Sequence, residues 1–72
     1  MKNDIVIGGT YLHYKKKKYR VLGLVRHSET LEELVYYECL YDNPGGQFWV
    51  RPKELFLGQT EAGETRFQLI EG

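Results

Sequence analysis

Apolar and polar residues are distributed along this chain in short runs that favour strands. Thr10-Tyr11-Leu12-His13-Tyr14 is aromatic and β-branched, and Tyr19-Arg20-Val21-Leu22-Gly23-Leu24-Val25-Arg26 is too short and β-rich for a helix. Gly23 sits inside the second run, where a bend or bulge is expected. In the third run Val35, Tyr37, Cys39 and Tyr41 alternate, putting four apolar side chains on one face of a strand. A helix over Leu31–Leu40 competes, because Thr30-x-x-Glu33 resembles a capping box and Leu31, Leu34 and Val35 fall at helical spacing. The Val-Tyr-Tyr run decides for the strand.

Turn signals separate these runs. Gly8-Gly9 ends an N-terminal arm, residues 1–8, in which Asn3–Ile7 reads as extended chain or a short strand. Lys15–Lys18 makes a solvated turn, and Asp42-Asn43-Pro44-Gly45-Gly46 is the strongest reversal. Phe48–Arg51 is a further strand stopped by Pro52, Pro52–Phe56 has room for one helical turn, and Arg66–Ile70 is a last, edge strand. These elements predict a mainly β fold: a small single-domain antiparallel SH3-like barrel with one short helical turn, spanning residues 1–72. An OB-like barrel is the second choice, because the chain leaves little room for its longer strands and extra helix.

Pairing the second and third strands across the polar joint Arg26–Glu33 gives a specific register. With Arg20 opposite Glu38, antiparallel geometry sets Arg26 opposite Glu32, Val21 opposite Tyr37 and Gly23 opposite Val35. Two charge pairs then flank an apolar seam, and the seam carries most of the energy, since surface pairs contribute only about 0–1 kcal/mol each.

Size and charge narrow the function. A chain of 72 residues forms one small domain. Ten Lys plus Arg balance ten Asp plus Glu, so no global field favours nucleic acid. The balance hides an asymmetry: six bases and no acid lie between His13 and His27, and five acids and no Lys or Arg between Ser28 and Asp42. The single cysteine, Cys39, has no partner in the chain and is expected to be buried and unreactive. Apolar runs are far shorter than the roughly 20 residues that span a bilayer, and Met1–Asp4 has no signal-peptide character, which points to a cytoplasmic protein away from membranes.

The residues further resemble a known family. His13-Tyr14-Lys15, Tyr19-x-Val21, His27-Ser28-Glu29-Thr30-Leu31-Glu32, Val35-x-Tyr37, Leu40-Tyr41, Trp49-Val50-Arg51-Pro52, Phe56 and Arg66-Phe67 together are similar to a family of small bacterial domains of unknown function. The resemblance runs from about Gly9 to Phe67 and implies an SH3-like barrel, with no established activity. That pattern usually has Gly after His-Tyr-Lys, where this chain has Lys16, so a first turn of different shape is expected.

Candidate chemistry is sparse. His27-Ser28-Glu29 has the residue types of nucleophilic catalysis, but a triad is recognised by geometry, and consecutive residues rarely converge; a hydrogen-bonded turn is the better reading. His13 and His27 lack metal-ligand spacing, and neither Gly8-Gly9 nor Gly45-Gly46 has the surroundings of a phosphate loop, so no metal, cofactor or catalytic residue is assigned. If Val50 faces the core, Trp49 and Arg51 share the opposite face as a ring beside a guanidinium; the alternative is a partly buried Trp49 with Arg51 paired to Glu38 or Glu32. Tyr14 and Tyr36 are the tyrosines expected near a binding surface. The reading is a non-catalytic module that binds a peptide, partner protein or small charged ligand through Tyr14, Arg26, His27, Ser28, Glu29, Trp49 and Arg51. The alternative is nucleic-acid binding through Lys15–Lys18 and the flanking aromatics.

Overall fold

The described residues form five strands and one short helix: β1 Thr10–His13, β2 Lys18–Arg26, β3 Glu33–Cys39, β4 Phe48–Pro52, α1 Lys53–Leu57 and β5 Phe67–Glu71. The computed structural model describes residues 5–72. Met1–Asp4, and with them the start of the arm expected over Asn3–Ile7, lie outside the described residues. All strands belong to one antiparallel sheet in the order β4-β3-β2-β1-β5. The sheet is barrel-like but not closed, since β4 and β5 are its two edges. The expected mainly β antiparallel fold with one helical turn is therefore what the chain adopts.

β3 is a strand because its alternation is buried on one side: Val35, Tyr37 and Cys39 are all buried. The predicted register holds for half its length. Arg20 lies opposite Glu38 and Val21 opposite Tyr37, with Arg20 Nη1 3.8 Å from Glu38 Oε2. Beyond Val21 the ladder shifts by one residue, so Gly23 faces Tyr36, Leu24 faces Val35 and Arg26 faces Glu33 rather than Glu32. The extra residue is Leu22, between Val21 and Gly23. Gly23 itself has no steric duty, because a Cβ there would meet nothing within 4 Å.

The open side between β4 and β5 is filled by α1 and the segment after it. Phe56, fully buried, stacks on Phe67 with ring centroids 4.1 Å apart and meets Tyr11 edge-on at 5.2 Å. Arg66 N donates to Gly58 O, and a bridge joins Gln59 to Thr65. Pro52 closes β4 opposite Leu34 and stands at the helix N-cap, one place earlier than its expected first helical position. Gly9 is needed for close packing: a Cβ would lie 2.8 Å from Leu69 Cδ1 and 3.0 Å from Val6 O. The core is thus Tyr11, Val21, Val35, Tyr37, Phe56 and Phe67, with Ile5 and Tyr19 packed against it.

Candidate functional site

The sheet register distributes the polar residues between two ends. At one end, the β2–β3 turn is closed by its own side chains. His27 N donates to Glu32 O and Leu31 N to His27 O, while His27 Nδ1 accepts from the amides of Glu29 (3.0 Å) and Thr30 (3.3 Å). Thr30 Oγ1 accepts from Glu32 N, Ser28 Oγ donates to Glu29 Oε2, and Arg26 Nη1 donates to Leu31 O. Leu31 takes φ 64° to complete the loop. Each of Arg26, His27, Ser28 and Glu29 makes at least one bond within the turn, and Ser28 is not bonded to His27. A cleft of about 280 Å³ beside this turn is lined by Glu32, Glu33, Glu54, Lys53 and Leu57, and Lys53 is already 3.5 Å from Glu33.

The other end holds Trp49 and Arg51. They do share a face, but the condition stated for it is reversed: Val50 is 51% exposed, and Trp49 and Arg51 lie opposite Tyr37 and Val35, the buried residues of β3. Directly opposed residues of an antiparallel pair project to the same side, so Trp49 and Arg51 line the concave side of the sheet. There a pocket of about 220 Å³ is walled by Tyr19, Tyr37, Asn43, Trp49 and Arg51. Trp49 Nε1 donates to Gly46 O (3.0 Å), which tilts the indole toward the loop before β4. That loop is braced by Asn43, whose Oδ1 accepts from Gly45 N and whose Nδ2 donates to Tyr41 Oη. Tyr36 projects to the convex side with Val50 and Phe48, away from the pocket.

Arg51 is the pocket's charged group. Its Nε donates to Tyr37 Oη at 3.4 Å and its guanidinium lies over the Phe67 ring at 5.5 Å. Neither expected carboxylate pairs with it: Glu38 bridges to Arg20, and the described ion pairs leave Arg51 out. The outer nitrogens of the guanidinium have no partner among the described residues. The walls carry hydroxyls held in fixed positions, with Tyr19 Oη 2.8 Å from Tyr41 Oη. Burial, and then that bond, raise the Tyr19 pKa, so the phenol stays neutral.

His13 and the lysine turn border the same end. His13 packs against Tyr14, Phe67 and Tyr19, with centroids 4.5, 4.7 and 6.1 Å away. Its Nδ1 accepts from Lys15 N (3.1 Å), and its pKa is lowered below the ordinary 6.5 by burial first and then by Arg51, Lys15 and Arg66. Lys16 adopts φ 71°, the left-handed region that glycine favours, so the backbone demand of glycine persists under a lysine side chain. Lys17 Nζ stands 4.8 Å from the centre of the Tyr41 ring.

Of the seven expected site residues, Trp49 and Arg51 share the pocket and Tyr14 lies on the neighbouring lysine turn. Arg26, His27, Ser28 and Glu29 surround the other turn. The Arg26–Glu33 and Tyr37–Trp49 pairs are four residues apart on β3, roughly 13 Å at about 3.3 Å per residue. The pocket of Trp49 and Arg51 is lined without Arg26, His27, Ser28 or Glu29. Sequence reasoning missed Tyr37 and Asn43 as lining residues and placed Tyr19 only on the alternative nucleic-acid surface, beside the lysine turn. The signal for Tyr37 was present in the β3 alternation, and that for Asn43 in its place beside Pro44-Gly45-Gly46.

Among the described residues no helix is long and apolar enough to cross a membrane. No curated protein matches the chain. A crystal structure of a DUF1653 protein from Bordetella bronchiseptica is similar, with 34% identity, a TM-score of 0.83, and 99% of this chain and 94% of that chain covered. The family described as protein of unknown function (DUF1653) matches residues 9–69. With a match over most of its length and a fold shared with a family member, the chain belongs to the DUF1653 family.

Proposed function

We propose that this protein is a non-catalytic, cytoplasmic binding module whose site is the Trp49–Arg51 pocket. Its ligand is a small charged molecule, or a peptide or partner protein that presents an anionic group. The observation that supports this reading is a guanidinium without a carboxylate partner among the described residues, set in a pocket walled by three aromatic rings. Beside such walls, an arginine fork favours an oxyanion by two parallel hydrogen bonds. A cationic ligand would meet the same rings but be repelled by Arg51, which argues against an aromatic cage for ammonium groups. At about 220 Å³ the pocket is smaller than the roughly 300–1,000 Å³ of drug-sized sites, so it suits one ring or one residue-sized group.

Benzoate, a flat ring bearing one carboxylate, is a simple probe. Titrated into the wild type, it is expected to change the fluorescence of Trp49, the sole tryptophan. Arg51→Met should weaken binding at least about tenfold, and Arg51→Lys by less, since a charge-assisted bond contributes roughly 1.5–3 kcal/mol. Equal benzoate binding by wild type and Arg51→Met would refute the reading.

A further inference from the structure

We infer that the group taken by the Trp49–Arg51 pocket is one base of a single-stranded nucleic acid, whose neighbouring phosphates lie along the Lys15–Lys18 turn. This rests on the reading of that pocket as an anion-binding site and takes the anion on Arg51 to be a phosphate flanking the base stacked on Trp49, in place of a peptide or small-molecule group.

The juxtaposition comes from the sheet. Tyr19 opposes Cys39, and Leu40 N donates to Lys18 O, so the lysine turn runs directly beside the 40–47 loop that carries Tyr41 and Asn43. Lys17 Nζ over Tyr41, and the Tyr41–Tyr19 hydroxyl pair, connect the turn to the pocket wall. On the far side of the turn, Lys15 Nζ stands 5.8 Å from the Tyr14 ring. Aromatic rings therefore alternate with ammonium groups from Trp49 to Tyr14, and the exposed ring of Trp49 is the one on which a base stacks while the lysines neutralise the backbone. A pocket the size of one ring accepts an unstacked base but not a base pair, which selects single strands over duplex.

Electrostatics at this end differ from the neutral whole. None of Lys15, Lys16, Lys17, Lys18 and Arg51 is in an ion pair among the described residues. Arg66 donates to Gln59 O and has a buried Nε without a partner. Opposing carboxylates are few. Glu64 faces Lys16 across a shallow cleft without reaching ion-pair distance, Glu61 lines the cleft beside it, and Asp42 is exposed on the 40–47 loop. Glu38 is paired with Arg20, and four of the ten acids, Glu29, Glu32, Glu33 and Glu54, belong to the opposite end.

The test titrates an oligothymidylate of about eight nucleotides, within the roughly 4–16 nucleotide sites of small single-strand binders, into the whole chain at low salt. Polarisation of a labelled strand reads binding, and Trp49 fluorescence reads pocket occupancy. The expected result is binding with Trp49 quenching that weakens as salt rises. In the doubly substituted Lys15→Gln, Lys17→Gln protein, the slope of log affinity on log salt should be shallower by roughly 0.7 for each lysine removed. Inorganic phosphate, benzoate and a duplex of the same length are the comparisons. If benzoate occupies the pocket but the oligonucleotide binds no better than phosphate, the nucleic-acid inference is wrong and the binding-site reading stands. If no probe moves Trp49, both fail. Duplex binding as tight as single-strand binding, or strand binding that leaves Trp49 unchanged, also overturns the inference.

Discussion

The β1–β2 and β2–β3 turns are built on the same device and do different things with it. Each begins with a histidine whose Nδ1 accepts backbone amides of the turn, and each has a non-glycine residue at positive φ, Lys16 or Leu31. In both, the imidazole Nδ1 acts as a turn-closing acceptor. The difference lies in what surrounds the ring. His13 leans on three aromatic rings and faces Arg51, whereas His27 is exposed among groups that bond only within its own turn. A conspicuous run of polar residues can thus be consumed by local geometry, while plainer positions on strands converge to make a pocket.

The largest expected effect separates the two ends by stability. Tyr19 makes edge contacts with Tyr37, Tyr41, Phe67 and His13, so Tyr19→Ala should cost about 3 kcal/mol, toward the lower bound for large aromatic truncations because the ring is only partly buried. His27→Ala should cost about 1 kcal/mol, the scale of a lost turn or cap acceptor. Urea unfolding of both variants checks this, and equal losses would erase the contrast.

Acid should reveal the packed histidine next. His13 has a folded pKa below its unfolded value near 6.5, so the native state binds fewer protons than the unfolded state there. The stability that neutral His13 contributes is fully present above pH 6.5 and is lost as pH falls toward the depressed folded value. Melting temperatures measured from pH 7.5 downward should fall in the wild type and fall less steeply in His13→Gln. Identical slopes would show that the ring's surroundings do not oppose its charge.

Smaller effects test the shared part of the device. Lys16→Gly and Leu31→Gly should each stabilise the fold by roughly 0.5–1 kcal/mol, since glycine relieves the left-handed strain at φ 71° and φ 64°. A gain at one turn only would mean that the two backbones are not equivalent. Smallest, Gly23→Ala should stabilise by about 0.5 kcal/mol, because the site is open and not at positive φ, and alanine restricts the unfolded chain.

Much of the fold was legible because period-two burial and turn chemistry are local. Val35, Tyr37 and Cys39 marked β3, and Asn43-Pro44-Gly45-Gly46 marked the following reversal. The Arg20–Glu38 pair followed from matching charges. The bulge was expected at Gly23 from residue type, but it falls at Leu22 and displaces Arg26 onto Glu33, because a bulge is set by how two strands curl around a core rather than by one permissive residue. The residue pattern leaves the face of β4 open between two readings for a related reason. Val50 is the apolar choice for the inside, yet pairing with Tyr37 and Val35 turns Trp49 and Arg51 inward. Convergence of Tyr19, Tyr37 and Asn43 on that pair depends on strand order, which no local pattern encodes.

The claim that binding belongs to the Trp49 end rather than the His27 end is tested most directly by a residue-resolved ¹H–¹⁵N shift map during benzoate titration of the wild type. The account predicts shifts at the Trp49 indole N–H, the Asn43 side-chain amide and the Tyr19 backbone, with Ser28 and Glu29 unmoved. Shifts centred on Ser28 and Glu29, with the Trp49 indole still, would contradict it.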